Sequence, residues 1–112
     1  MSKNIFSELS DAMANAAEKA GKYTVLVDAR HRMPASGIAF AKDTILTAGH
    51  VVEREEDIKI LFADGSELSA RLAGRDSGTD LAVLKLDSPF ATPAEVAKMP
   101  ARGGQFVLAI GR

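Results

Sequence analysis

The chain has 112 residues, enough for one domain with one modest core, and its 46% hydrophobic content rules out wholesale disorder. Fourteen basic and fifteen acidic residues leave a net charge of −1, without the basic excess that marks a nucleic-acid partner. There are no cysteines and only two histidines, His31 and His50, so disulfides and thiolate metal sites are excluded, and no metal or other cofactor is implied.

Residues 4–20 read as a helix. Ile5, Leu9, Met13, Ala16, Ala17 and Ala20 recur at spacings of three and four, which sets them on one face. Ser2 or Asn4 is placed to cap its start, and Gly21 to stop it. Two uses of that face are open: docking onto the body of the protein through Ile5, Leu9 and Met13, or binding a partner, as a trimerisation helix would. No run approaches the roughly 20 apolar residues needed to span a bilayer, and no apolar signal-peptide core follows Met1-Ser2-Lys3-Asn4.

Beyond the helix the pattern changes to short β-forming runs. Residues 23–29, 36–41, 44–48, 58–62, 67–75 and 81–86 read as strands, and Gln105–Ile110 as a seventh. Lys42-Asp43 is a hairpin-length connection. Asp64-Gly65 is the strongest hairpin signal in the chain, because such turns need a positive φ. In the run at 67–75, Leu68, Ala70 and Leu72 face one way. Glu53–Asp57 is a charged surface loop, and prolines at 89, 93 and 100 make 87–102 mostly loop. Strands not interleaved with long helices exclude a parallel α/β sheet. The expected fold is all-β: a six- to seven-stranded antiparallel barrel, which hides its strand edges by closing, with one N-terminal helix.

Two residues carry candidate chemistry. His50 follows the apolar run Ile45–Ala48, where the chain turns, and Asp80 heads the run Leu81–Leu86. A nucleophilic hydrolase needs a histidine base whose tautomer is held, and whose charged form is stabilised, by a buried carboxylate. His50 and Asp80 suit those parts, although spacing alone leaves the pairing open. His31, between Arg30 and Arg32, reads as a solvated loop histidine.

Three stretches, Ser36-Gly37-Ile38-Ala39-Phe40, Leu46-Thr47-Ala48-Gly49-His50-Val51-Val52 and Thr79-Asp80-Leu81-Ala82-Val83-Leu84-Lys85-Leu86, resemble in order segments of the trypsin-like serine proteases, with the closest likeness to the HtrA/Deg branch. The hairpin at 64–70 and the segment at 105–111 share the likeness, which covers about residues 5–111. The resemblance implies that His50 is the general base and Asp80 its orienting partner. It implies an N-terminal helix over 1–22 and, over 23–112, the N-terminal barrel of a two-barrel endopeptidase acting on polypeptide. It also implies that the nucleophile and oxyanion hole lie in the second barrel, within a Gly-x-Ser-x-Gly stretch. No such stretch occurs here. Asp76-Ser77-Gly78 superficially resembles its centre, but Arg75 and Thr79 stand where glycines belong, so Ser77 reads as a turn residue. Ser36, Ser66, Ser69 and Ser88 have no supporting context. The chain by itself is therefore expected to be inactive. It is expected to associate as a homodimer or domain-swapped form through the face the second barrel would cover. An extracytoplasmic location and a following PDZ module are implied by the likeness alone. Two other readings stand beside this one: a non-catalytic binding or oligomerisation module derived from a protease lobe, and an unrelated β-barrel binding domain.

Overall fold

The computed structural model describes residues 4–112. A 17-residue helix, α1 (Ile5–Gly21), opens the chain. Asn4 caps it: its side-chain oxygen accepts from the Ser7 N–H at 2.8 Å, satisfying one of the free donors of the first turn. Ser2, the other candidate cap, lies outside the described residues. Gly21 is the last helical residue, and Lys22 closes the end in a right-handed conformation through its N–H to the Lys19 and Ala20 carbonyls.

Of the two uses open to the apolar face of α1, docking through Ile5 and Leu9 is not seen, and Met13 is half-buried. Ile5 is 74% exposed and Leu9 38%. No residue of the helix is buried. Alanines at the positions nearest the barrel supply little side chain with which to pack. What covers part of the face is the end of the chain. Met13, Ala12, Ala16 and Ala20 share an open groove of about 320 Å³ with Phe106, Leu108 and Ile110.

Six strands follow: β1 (Thr24–Asp28), β2 (Ala35–Ala41), β3 (Thr44–Ala48), β4 (Ile58–Leu61), β5 (Glu67–Asp76) and β6 (Leu81–Leu86). All pair antiparallel and close into a barrel in the order β1-β2-β3-β6-β5-β4. The period-two pattern explains the closure. Val25 and Val27, Ile45 and Thr47, Ile58 and Ile60, and Ala82, Leu84 and Leu86 alternate into one buried core. Each large apolar side chain so enclosed stabilises the fold by about 1.5–3 kcal/mol. The interior is too tight for a side chain at position 37. A Cβ on Gly37 would lie 2.8 Å from Val27 Cγ2 and 3.0 Å from Ile45 Cγ2. The predicted Asp64-Gly65 turn forms with Gly65 at φ +90° and with the Asp64 carboxylate accepting the Ser66 N–H at 2.8 Å.

Gln105–Ile110, expected as a seventh strand, is not one. The β1–β4 pairing closes the barrel with six strands and leaves no edge to extend. The segment instead runs past α1 and is tied down by Arg112. Its backbone N–H donates to Ser36 Oγ, and its guanidinium to the carbonyls of Thr24 (2.8 Å) and Gly21 (2.6 Å). Among the described residues no helix is long and apolar enough to cross a membrane.

Candidate active site

The β3–β6 ladder brings His50 and Asp80 together. Ala48, the last residue of β3, lies opposite Leu81, the first of β6. The Gly49 N–H then donates to the Asp80 carbonyl at 2.7 Å, adding one rung beyond the strands. At that point the chain tightens into a 3₁₀ turn, Gly49–Val51, closed by the Val52 N–H on the Gly49 carbonyl. The turn swings His50 back over the rung. Its backbone N–H donates to Asp80 Oδ1 at 2.9 Å, and its ring Nδ1 meets Asp80 Oδ2 at 2.5 Å. Asp80 is thus joined to the Gly49-His50 pair three times, through its carbonyl and both carboxylate oxygens.

The other half of the site is a strained backbone. Asp80 has φ +57°, the left-handed region, which few residues other than glycine occupy and which Asp and Asn tolerate best. The preceding turn delivers the chain in that conformation. Asp76 accepts the Gly78 N–H on Oδ1 (3.1 Å) and the Thr79 hydroxyl on Oδ2 (2.9 Å), which curls residues 76–79 back towards β6. From below, the buried Thr47 anchors β3 to β2 by donating its hydroxyl to the Ser36 carbonyl at 2.8 Å.

The pair is open to solvent: the His50 side chain is 68% exposed and that of Asp80 51%. The buried carboxylate expected for a held histidine is therefore not provided by this chain. An exposed ion pair contributes little to stability, so the contact is sustained by the backbone rung and the N–H bond rather than by attraction alone. The hydrogen bond from the His50 ring holds the Asp80 carboxyl below the ordinary carboxylate range, helped by the His50 N–H and the nearby Arg75 charge, while loss of solvent pulls the other way. With its folded value depressed, whatever the Asp80 charge adds to stability is present above the unfolded carboxylate range. It is lost as pH falls through the lowered value.

Chemically, this arrangement presents a histidine whose Nδ1 is engaged by a carboxylate. Its Nε2 has no partner among the described residues, so it is free to take a proton from a group brought to it. Among the described residues no serine is recorded in a hydrogen bond with it. Ser77 is exposed in the turn before Asp80, Ser36 Oγ is engaged with Arg112, and Ser69 Oγ accepts from Lys59 Nζ. His31 lies exposed in the β1–β2 loop. No group of three or more His, Asp or Glu side chains able to hold a metal occurs among the described residues.

The family model of the trypsin-like peptidase domain matches residues 35–112. The serine protease Do-like HtrA of Bacillus subtilis is 40% identical over 84 residues, which cover 68% of this chain and 18% of that protein. A probable periplasmic serine endoprotease, DegP-like, of Pseudomonas savastanoi is 41% identical over 78 residues, 68% of this chain and 16% of its own length. The chain thus spans less than a fifth of either curated relative. Among solved structures, the serine endoprotease from Yersinia pestis superposes with a TM-score of 0.64 at 33% identity, covering 80% of this chain and 35% of that one. The Rv3671c protease in an inactive form shares the fold, with a TM-score of 0.67 at 19% identity over 81% of this chain and 46% of that one.

Proposed function

The chain belongs to the trypsin-like peptidase domain family, and from that premise we propose that it is the N-terminal barrel of a serine endopeptidase, with His50 as general base and Asp80 as its orienting partner. The proposed division is a helical lead-in over 1–22, of which residues 1–3 lie outside the described residues, and the lobe over 23–112. The observation that carries the reading is the doubly bonded pair, His50 Nδ1 on Asp80 Oδ2 at 2.5 Å and His50 N–H on Oδ1 at 2.9 Å. Two bonds at once fix both the position and the rotation of the ring.

In the proposed reaction a serine from a second barrel attacks the scissile carbonyl of a polypeptide, and His50 Nε2 accepts the hydroxyl proton. The Asp80 carboxylate keeps the neutral ring protonated on Nδ1, which leaves Nε2 basic, and then stabilises the imidazolium. His50 returns the proton to the leaving amine. It next takes one from the water that hydrolyses the acyl-enzyme, and gives it back to the serine. Oxyanion donors, each worth about 3–4 kcal/mol when removed from such enzymes, belong to the second barrel as well. That barrel would also cover the exposed pair and supply the water-free surroundings in which its electrostatics count.

Since no Gly-x-Ser-x-Gly occurs in these 112 residues, the chain alone is expected to leave casein uncut. Casein turnover by the chain that His50→Ala abolishes would contradict this. Exposed apolar side chains, among them Phe6, Met99, Phe106 and Val107, support self-association. Light scattering is expected to give a dimer, and a monomer at high concentration would contradict that.

A further inference from the structure

We propose that Arg75 is a positioning residue for the His50–Asp80 pair, brought to it by a register slip in β5. The proposal rests on the reading of His50 as a base. The strand's alternation, taken alone, sends Arg75 away from the site. Ala70 and Leu72 face the core, opposite the buried Leu86 and Leu84. Continued without interruption, that alternation would set Arg75 on the outer face. Between Leu72 and Gly74 the register shifts, and Gly74, not Ala73, lies opposite Val83. Arg75 therefore pairs with Ala82, which is fully buried, and its side chain leaves from the core side at the mouth of the barrel. A bulge re-aims a side chain in this way by one added residue. At the same place the Leu72 N–H is taken up by the Glu55 carbonyl at 2.7 Å, which fixes the slip to the loop following the His50 turn.

Once re-aimed, Arg75 grips that turn at both ends. Its guanidinium Nη2 donates to the Val52 carbonyl at 2.7 Å. Its Cγ lies 3.6 Å from the point a Gly49 Cβ would occupy, and Asp80 Oδ1 lies 3.1 Å from the same point. A side chain at position 49 would thus meet the arginine stem at ordinary contact distance and press on the Asp80 carboxylate, which would have to give by a few tenths of an ångström. Arg75 is also a positive charge near Asp80, whose other charge partner among the described residues is the His50 ring. The nearby Asp76 carboxylate is occupied by Gly78 and Thr79. Arg75 thus holds the turn that presents the ring and favours the ionised carboxylate that orients it. It touches neither His50 Nε2 nor anything bound there.

The test uses the 112-residue chain and reads the His50 ring by NMR. In Arg75→Met, which keeps an apolar stem and removes donor and charge, the His50 Nδ1 proton is expected to exchange with water about tenfold faster. The neutral ring should also lose its preference for the Nδ1-protonated tautomer. Arg75→Lys, which restores charge without the planar fork, should fall between, about threefold faster than the parent. Slow amide exchange at Ile45 and Leu84 reports the barrel and should not change, whereas a merely structural role would move it. Parent-like exchange and tautomer in Arg75→Met would overturn the proposal. If that variant does not fold, Arg75→Lys decides alone, and parent-like values there overturn it. A parent chain with no Nδ1 tautomer preference refutes instead the reading of His50 on which the proposal rests.

Discussion

Asp80→Asn is expected to lower kcat about 10⁴-fold in a two-barrel protease carrying this lobe, with little change in KM. The substitution is nearly isosteric and should leave the fold alone. Asn tolerates the left-handed backbone at φ +57°, and its carbonyl can still accept the His50 N–H now bound by Oδ1. What changes is the atom facing Nδ1. An amide NH₂ there donates where the carboxylate accepted, which drives the ring proton to Nε2 and leaves no base for the serine. Asp80→Ala should cost a similar amount of rate and some stability too, because the His50 N–H loses its acceptor and the strained backbone its tolerant side chain. A suitable vehicle is a chimera in which this chain replaces the matching barrel of the Yersinia pestis endoprotease, to which it is 33% identical. Peptide hydrolysis by the Asp80→Asn chimera within tenfold of its parent would remove Asp80 from the mechanism.

Leu84→Ala should be the most damaging single truncation of the barrel. Leu84 is fully buried and lies opposite Ile45 on one side and Leu72 on the other, at the centre of the β3-β6-β5 surface. Removing it should cost about 2–5 kcal/mol, the transfer term plus the cavity. For a domain of this size the whole stability is about 5–15 kcal/mol. Urea unfolding is expected to show a lower midpoint at unchanged slope. Leu81→Ala, three residues earlier but 44% exposed, should shift stability by no more than about 0.5 kcal/mol. Equal losses in the two variants would mean that the alternation of β6 has been misassigned.

The strands were legible because barrel packing writes a period of two into them, and Ile45, Ile58, Ile60 and Leu84 all sit where that period puts them. The Asp64-Gly65 turn was legible for a similarly local reason. The approach of His50 to Asp80 depends on features with little local signal. One is the β3–β6 register, which sets Gly49 beside Asp80, and another is the positive φ of Asp80 itself. Motif resemblance, rather than periodicity, singled the two residues out. Arg75 was not singled out, because the alternation of Leu68, Ala70 and Leu72 was read no further than Leu72. A glycine interrupting a strand pattern is itself the sign of a bulge, and reading it so would have turned Arg75 to the core side. Residues 105–110 misled for the converse reason. The run has strand composition, but whether a strand forms depends on a free edge, and closure through β1 and β4 removes it. The exposure of Ile5 and Leu9 follows likewise from what lies opposite them rather than from the helical spacing they keep.

This lobe alone is expected to hold His50 and Asp80 as an oriented base, before any nucleophile is present. Nitrogen-15 NMR of the histidine rings in the 112-residue chain tests it most directly. The neutral His50 ring is expected to be protonated on Nδ1, with that proton protected from exchange, and to lose both features in Asp80→Asn. A His50 ring protonated chiefly on Nε2, or one whose tautomer ignores the Asp80 substitution, would show that Asp80 does not orient it.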